Sequence, residues 1–312
     1  MKLHRIIIKY DKILDKYVRT DIIPSAEFFN KEKSKYDFIL QRVISFYYIA
    51  NYISSLKTKA YDANDSSLFT IFNKASLDLL GIFVCLGSGL EVQAGIISRS
   101  LYEAYITTAL IFKEETKERI KLFSNFQHVL RWKKVLEHLE NEGEEYFKNL
   151  EDKDAKFKLW EEKYNECIGD YNESFPYHWA YKIFKDKIKK NNPSFLDICK
   201  YLGDDFVKDY NTSYGTLSVQ SHPSSIVGDY YTVVVKGKKR NVNSPMYKET
   251  IVDASVLAIS HCELIVEKIV RYFRIGDCND LISYMRFFVD STFTIAKSFK
   301  DNLKLQKAKK KK

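Results

Sequence analysis

The chain has 312 residues, 45% of them hydrophobic and 29% charged, with only 11 Gly and 5 Pro, which excludes a disordered, collagenous or linker-dominated protein and leaves ample material for a buried core. The formal net charge is +9, but residues 297–312 carry eight Lys against the single Asp301, so the remaining body sums to only +2 and is not a broad basic surface. Lys outnumbers Arg by 40 to 10, and because Arg is the residue that forks onto phosphates and reads bases, sequence-specific nucleic-acid readout is disfavoured.

Apolar residues recur at spacings of three and four almost from end to end, so the chain reads as helical. A first helix is predicted over residues 3–19, stopping before Pro24, and a second over about 26–60. Residues 64–66 offer cap-type side chains for a helix through Leu86, and Gly87 and Gly89 end it. The next helix, 90–113, is apolar on most sides and reads as a central core helix. Alternating Glu and Lys over residues 115–168 then describe an exposed helical hairpin, a solvated arm.

The pattern weakens around Pro176, His178 and Trp179. Short helices are predicted at 194–202 and 204–221, the second stopped by Pro223. Residues 230–243 carry the one convincing strand signal, a small β flap around Lys236-Gly237-Lys238. Helices at 247–274 and 277–305 complete the pattern. The expected architecture is a single, elongated, all-α domain over residues 1–299, a multi-helix bundle with core helices at about 26–113 and 194–299, followed by a basic disordered tail at 300–312.

Five scattered cysteines without CxxC spacing, and no charged-then-apolar leader, point to a reducing, cytoplasmic setting. The longest mainly apolar uncharged runs, 43–56 and 79–90, are 14 and 12 residues, short of the roughly 18–20 that a membrane span requires, so no transmembrane segment is expected. Walker, GxGxxG, GxSxG, HExxH and EF-hand patterns are missing from the sequence, and neither a metal nor a cofactor is expected.

Two clusters could carry chemistry. Arg99 and Glu103, four apart on the core helix, share a face; charges taken into low dielectric must pair, so they read either as a structural salt bridge or as the lining of a buried polar site. Tyr214, Ser218 and His222 fall at i, i+4 and i+8 and would form one polar stripe if helical, with His222 at a helix C-terminus before Pro223. His222 reads as a capping histidine or as a proton-transfer group. Arg131 and His138 meet the loose R-x(4 to 6)-H spacing of HEPN-type ribonucleases, although on a strongly charged helix that reads as a solvated face. His261 beside Cys262 reads as core packing, and His178-Trp179 as a hydrophobic anchor.

The combination of Ile96-Ile97-Ser98-Arg99-Ser100-Leu101-Tyr102-Glu103 with Tyr210, Tyr214, Leu217-Ser218 and His222-Pro223 resembles the bacterial domain of unknown function 5677 over about residues 79–222. The resemblance implies an all-α cytoplasmic protein of mobile-element or phage-defence contexts and singles out Arg99, Glu103, Tyr214, Ser218 and His222. On that basis the expected function is a bacterial defence or stress effector, a metal-independent ribonuclease or another nucleic-acid-acting toxin. In that scheme Arg99 contacts phosphate, Glu103 orients it, and His222 is acid or base assisted by Tyr214 and Ser218. The competing expectation is a noncatalytic sensor or scaffold whose Arg-Glu-His network is structural. The expected partners are nucleic acid or an anionic membrane, held nonspecifically by the lysine tail, and a protein partner or second copy of the chain.

Overall fold

The computed structural model describes residues 33–56, 62–171, 177–185, 194–214, 232–235, 238–241 and 250–309. The predicted helix at 3–19, and the Ser218 and His222 positions, lie outside the described residues.

The fold is all-α. The long helices are α1 (Asp37–Ser55), α2 (Ser66–Gly87), α3 (Glu91–Lys113), α4 (Thr116–Glu142) and α5 (Lys153–Cys167). After a short α6 (Tyr181–Phe184) come α7 (Phe195–Leu202) and α8 (Asp204–Asp209), a π-helical turn at Tyr210–Tyr214, then α9 (Thr250–Phe273) and α10 (Cys278–Lys309). Strands β1 (Thr232–Val235) and β2 (Lys238–Asn241) pair antiparallel with Val233 opposite Arg240. Four residues in each strand leave the class unchanged and do not establish the small β flap expected over residues 230–243.

The helix boundaries follow local chemistry. After α2, the Gly89 N–H bonds the Leu86 carbonyl and the Leu90 N–H bonds the Cys85 carbonyl, with Gly89 at φ +69°. This is the Schellman arrangement, which satisfies orphan carbonyls and needs a left-handed residue that glycine adopts without penalty. At the start of α7, Ser194 and Asp197 form a reciprocal capping box, satisfying two otherwise unpaired N–H groups.

The most central helix is α9, which packs against α1, α2, α3 and α10. Its apolar positions, among them Val252, Ile259, Cys262, Ile265, Val266, Ile269 and Val270, are fully or almost fully buried; each large aliphatic side chain so removed from water contributes about 1.5–3 kcal/mol. At Gly81 on α2, a Cβ would stand 3.2 Å from Ile97 Cδ1 of α3, so glycine permits the close approach of those two helices. Arg42 ties α1 to α10, donating from Nε to Thr292 Oγ1 at 3.0 Å and from Nη2 to the Phe288 carbonyl at 2.9 Å, with its guanidinium 3.8 Å over the Phe288 ring. Among the described residues α2 has the length and apolarity of a membrane span, at 22 residues and mean hydropathy 1.6, and it is packed on α1, α3 and α9.

Two expectations need correction. The hairpin at 115–168 forms as α4 and α5, but α4 is not a solvated arm: Arg119, Ile120, Leu122, Val129, Trp132 and Val135 are buried, whereas α5 buries only Cys167. The dense Lys and Glu of α4 mask a narrow apolar stripe that is enough to seat one side of it. The tail expected to be disordered from residue 300 is helical through Lys309, because Leu, Lys, Gln and Ala are good helix formers and no Gly or Pro interrupts them.

Candidate functional site

Arg99 and Glu103 sit one turn apart on α3, and the π-turn brings Tyr214 onto both. Arg99 Nε donates to Glu103 Oε1 at 3.1 Å and to the Tyr214 hydroxyl oxygen at 3.2 Å. The Tyr214 hydroxyl in turn donates to Glu103 Oε1 at 3.0 Å. Guanidinium, carboxylate and phenol therefore close a triangle between segments 111 residues apart. Three of the five residues singled out by sequence converge here; the other two, Ser218 and His222, lie outside the described residues.

The electrical setting differs from expectation. The Arg99 and Glu103 side chains are 29% and 38% exposed, so the pair sits at a solvent-reachable edge and not in a dry interior. Desolvation alone would lower the Arg99 pKa, but the Tyr214 hydroxyl and the Glu103 carboxylate lift it above its ordinary value. Tyr214 is pushed up to about 12, first by burial and then by the Glu103 charge. Its hydroxyl thus keeps its proton at neutral pH, as donation to Glu103 requires.

Behind the triangle stands a layer of rings. Tyr214 packs on Phe195 at 4.6 Å between centroids, on Tyr102 at 5.3 Å and on Tyr210 at 5.3 Å. Tyr177 stacks on Phe195 at 5.2 Å, and burial, together with the neighbouring Tyr214 phenol and Glu103 carboxylate, raises its pKa well above the usual phenol value. Tyr102 is fully buried and lies beside the Cys199 thiol, itself raised to about 11 by desolvation. These groups are neutral at physiological pH, which makes the layer an apolar wall with polar tips.

Other candidates resolve differently. His138 bonds Glu142 through Nδ1 at 2.7 Å and stacks on Tyr146 at 3.9 Å, while Arg131 lies over Trp160 at 5.4 Å. The two do not converge, and the ribonuclease-like spacing reflects separate partners on one helix. Trp179 is buried edge-on against Phe123 at 5.2 Å, an anchor as expected. His261 is not a lone packing residue: its Nε2 lies 3.1 Å from Asp209 Oδ2.

The deeply buried charges are ones that sequence reasoning passed over. Arg119, 1% exposed, donates to the Leu110 carbonyl at 2.6 Å, to Glu114 Oε2 at 3.2 Å and to the Tyr201 hydroxyl at 3.0 Å. On α9, Glu263 and Glu267 are buried side by side. Arg119 is one of two Arg in the predicted hairpin 115–168, with Arg131, and the surrounding charges concealed it. Among the described residues no three His, Cys, Asp or Glu side chains gather as a metal set. A surface cleft of about 390 Å³ between Tyr52, Leu56, Leu281 and Tyr284 shares no residue with the Arg99 cluster.

A family model described as a family of unknown function (DUF5677) matches residues 65–234, more than half of the chain. The chain belongs to DUF5677. Arg99, Glu103, Asp209 and Tyr214 lie within the DUF5677 span, whereas α9 with His261 lies beyond it. No curated protein and no solved structure matches the chain.

Proposed function

We propose that this DUF5677 protein is a bacterial, cytoplasmic stress or defence effector that acts on nucleic acid, with the Arg99–Glu103–Tyr214 cluster as its phosphate-facing site. The observation that supports this reading is the partial exposure of a cation whose orientation is fixed by two neighbours. A guanidinium so held meets an anionic oxygen without first having to be ordered. Glu103 and Tyr214 orient Arg99, and His222 serves as proton donor or acceptor with Ser218 near it in sequence. The defence setting rests on the resemblance read from the sequence.

A second reading is supported by the closed hydrogen-bond triangle: a noncatalytic scaffold or sensor in which Arg99, Glu103 and Tyr214 satisfy one another and fix α3 against the π-turn. The two readings separate in one experiment. Arg99→Ala and His222→Ala abolish toxicity or RNA cleavage with little change in melting temperature if the cluster acts on nucleic acid. A large drop in melting temperature with unchanged activity selects the scaffold.

A further inference from the structure

We propose that Asp209 and His261 are positioning residues for the Arg99–Glu103–Tyr214 cluster, a buried strut that holds the π-turn in the one geometry that presents Tyr214 to α3. The proposal rests on reading that cluster as the working site. His261 projects from α9 with its side chain 6% exposed and its Nε2 3.1 Å from Asp209 Oδ2. Asp209 is the last residue of α8, immediately before the π-turn.

The turn geometry explains why a strut is needed there. Asp209 and Tyr214 are five residues apart; in an α-helix that spacing places side chains about 140° apart around the axis. A π-helix bonds i to i+5 and, being wider, brings such residues to roughly the same side. With the widened turn, Asp209 faces His261 while Tyr214 faces Arg99 and Glu103. The π geometry is rare and is retained where the surroundings over-determine it, often at functional sites. Here the restraint comes from α9, the most central helix of the fold.

The same histidine also touches the ring layer behind the cluster. Its imidazole lies parallel to Tyr105 at 5.1 Å and 14°, and edge-on to Tyr102 at 5.0 Å and 67°; Tyr102 in turn packs on the Tyr214 ring at 5.3 Å. Asp209 and His261 therefore fix Tyr214 twice, through the backbone of the turn and through the rings. The bond between Asp209 and His261 includes neither Arg99 nor Glu103, so Asp209 acts on the site through Tyr214, while His261 acts through Tyr214 and through the Tyr102 and Tyr105 rings of α3.

The test is the Nε–H signal of Arg99 in a ¹H–¹⁵N spectrum of the full chain, assigned by its loss in Arg99→Lys. That proton is bonded to Tyr214 and Glu103, so Tyr214→Phe sets the shift expected once the phenol oxygen no longer accepts it. Asp209→Ala and His261→Ala should move the signal in the same direction as Tyr214→Phe. His261→Gln, whose amide nitrogen can replace Nε2, should return it toward the wild-type position. Asp209 is the more exposed partner, so its variant preserves the test should His261→Ala fail to fold. An Arg99 signal unmoved in folded Asp209→Ala, or no closer to wild type in His261→Gln than in His261→Ala, overturns the proposal. A single-stranded RNA oligonucleotide added to wild type probes the functional reading separately. If it leaves the Arg99 signal in place while Asp209→Ala displaces it, the nucleic-acid reading fails and the positioning role stands.

Discussion

Arg286 of α10 forks onto Glu267 of α9, with Nη2 2.7 Å from Oε1 and Nε 3.2 Å from Oε2. Arg271 adds a third bond to Glu267 at 2.8 Å. Burial would raise the Glu267 pKa, but the two guanidinium groups overcome it and hold the carboxylate below its usual range. One turn earlier, Glu263 has no cation bonded to it among the described residues; burial, then the neighbouring Glu267 charge, raises it to about 7. The α9–α10 contact thus holds one committed carboxylate and one carboxyl group that keeps its proton well above the ordinary carboxylate range.

A pH dependence of stability follows from Glu263. Its folded pKa is raised from 4.5 to about 7, so its contribution is fully present below the unfolded value and is lost as pH rises through the folded one. Glu267, shifted downward from 4.5, contributes in the opposite sense as its unfolded form ionises at the low end of that window, a contribution that both proteins share and that their comparison removes. Wild type should therefore lose stability between about pH 4.5 and pH 7 relative to Glu263→Gln, which cannot titrate, and the difference should level off above pH 7. Denaturant midpoints measured at half-unit steps for both proteins check this; parallel curves would contradict it.

Arg119 is the most consequential single charge in the fold. It reaches the Leu110 carbonyl, one of the last four acceptors of α3, which the helix itself leaves unpaired, and it joins Glu114 to Tyr201 of α7. Arg119→Ala leaves a cavity and the buried Leu110 carbonyl without its donor, and should cost about 3 kcal/mol in a denaturation series. Arg119→Lys should recover only part of this, since one ammonium cannot reach three acceptors in a fork.

Much of this architecture could be read from sequence because helix periodicity and helix ends are local signals. The Gly87–Gly89 stop, the Ser194 start and the apolar faces of α2, α3 and α9 depend on neighbours within a turn or two. Arg99, Glu103 and Tyr214 were found because charges on an apolar helix and hydroxyls in a row are visible without a fold. Asp209–His261 and Arg286–Glu267 were not, since each joins elements whose pairing only tertiary packing decides. The exposure of Arg99 was misjudged for the same reason: an apolar helix has one rim, and sequence does not say which residues occupy it. Arg119 was missed because period-based reading weighs apolar residues and treats every Arg as solvated.

The Arg99 triangle should be separable from global stability. With side chains 29% and 38% exposed, the ion pair is worth about 0–1 kcal/mol, so Glu103→Gln should move the melting temperature only slightly. Tyr214→Phe removes two bonds at a buried hydroxyl but keeps the ring among Phe195, Tyr102 and Tyr210, and should cost about 1–2 kcal/mol. Tyr214→Ala also removes the ring and should cost about 3–5 kcal/mol. Thermal unfolding of the three variants orders these effects; a Glu103→Gln loss as large as that of Tyr214→Ala would mean that the pair acts as a buried one.

The lysine-rich end of α10 supplies the last test, on the nucleic-acid reading proposed above. Lys300, Lys304 and Lys307 recur at i, i+4 and i+7, so they share one face of the helix that runs to Lys309. Lys300 is paired with Asp253 of α9 and Lys304 with Asp301, so the test removes the lysines that follow Lys304 in the sequence. Truncation after Leu305 removes five lysines and should weaken binding of a single-stranded oligonucleotide while flattening its salt dependence, by roughly 0.7 in log–log slope for each phosphate no longer neutralised. Filter binding across a salt series measures both quantities. An unchanged slope after truncation places the nucleic-acid contact elsewhere, and the Arg99 edge is then the surface to substitute next.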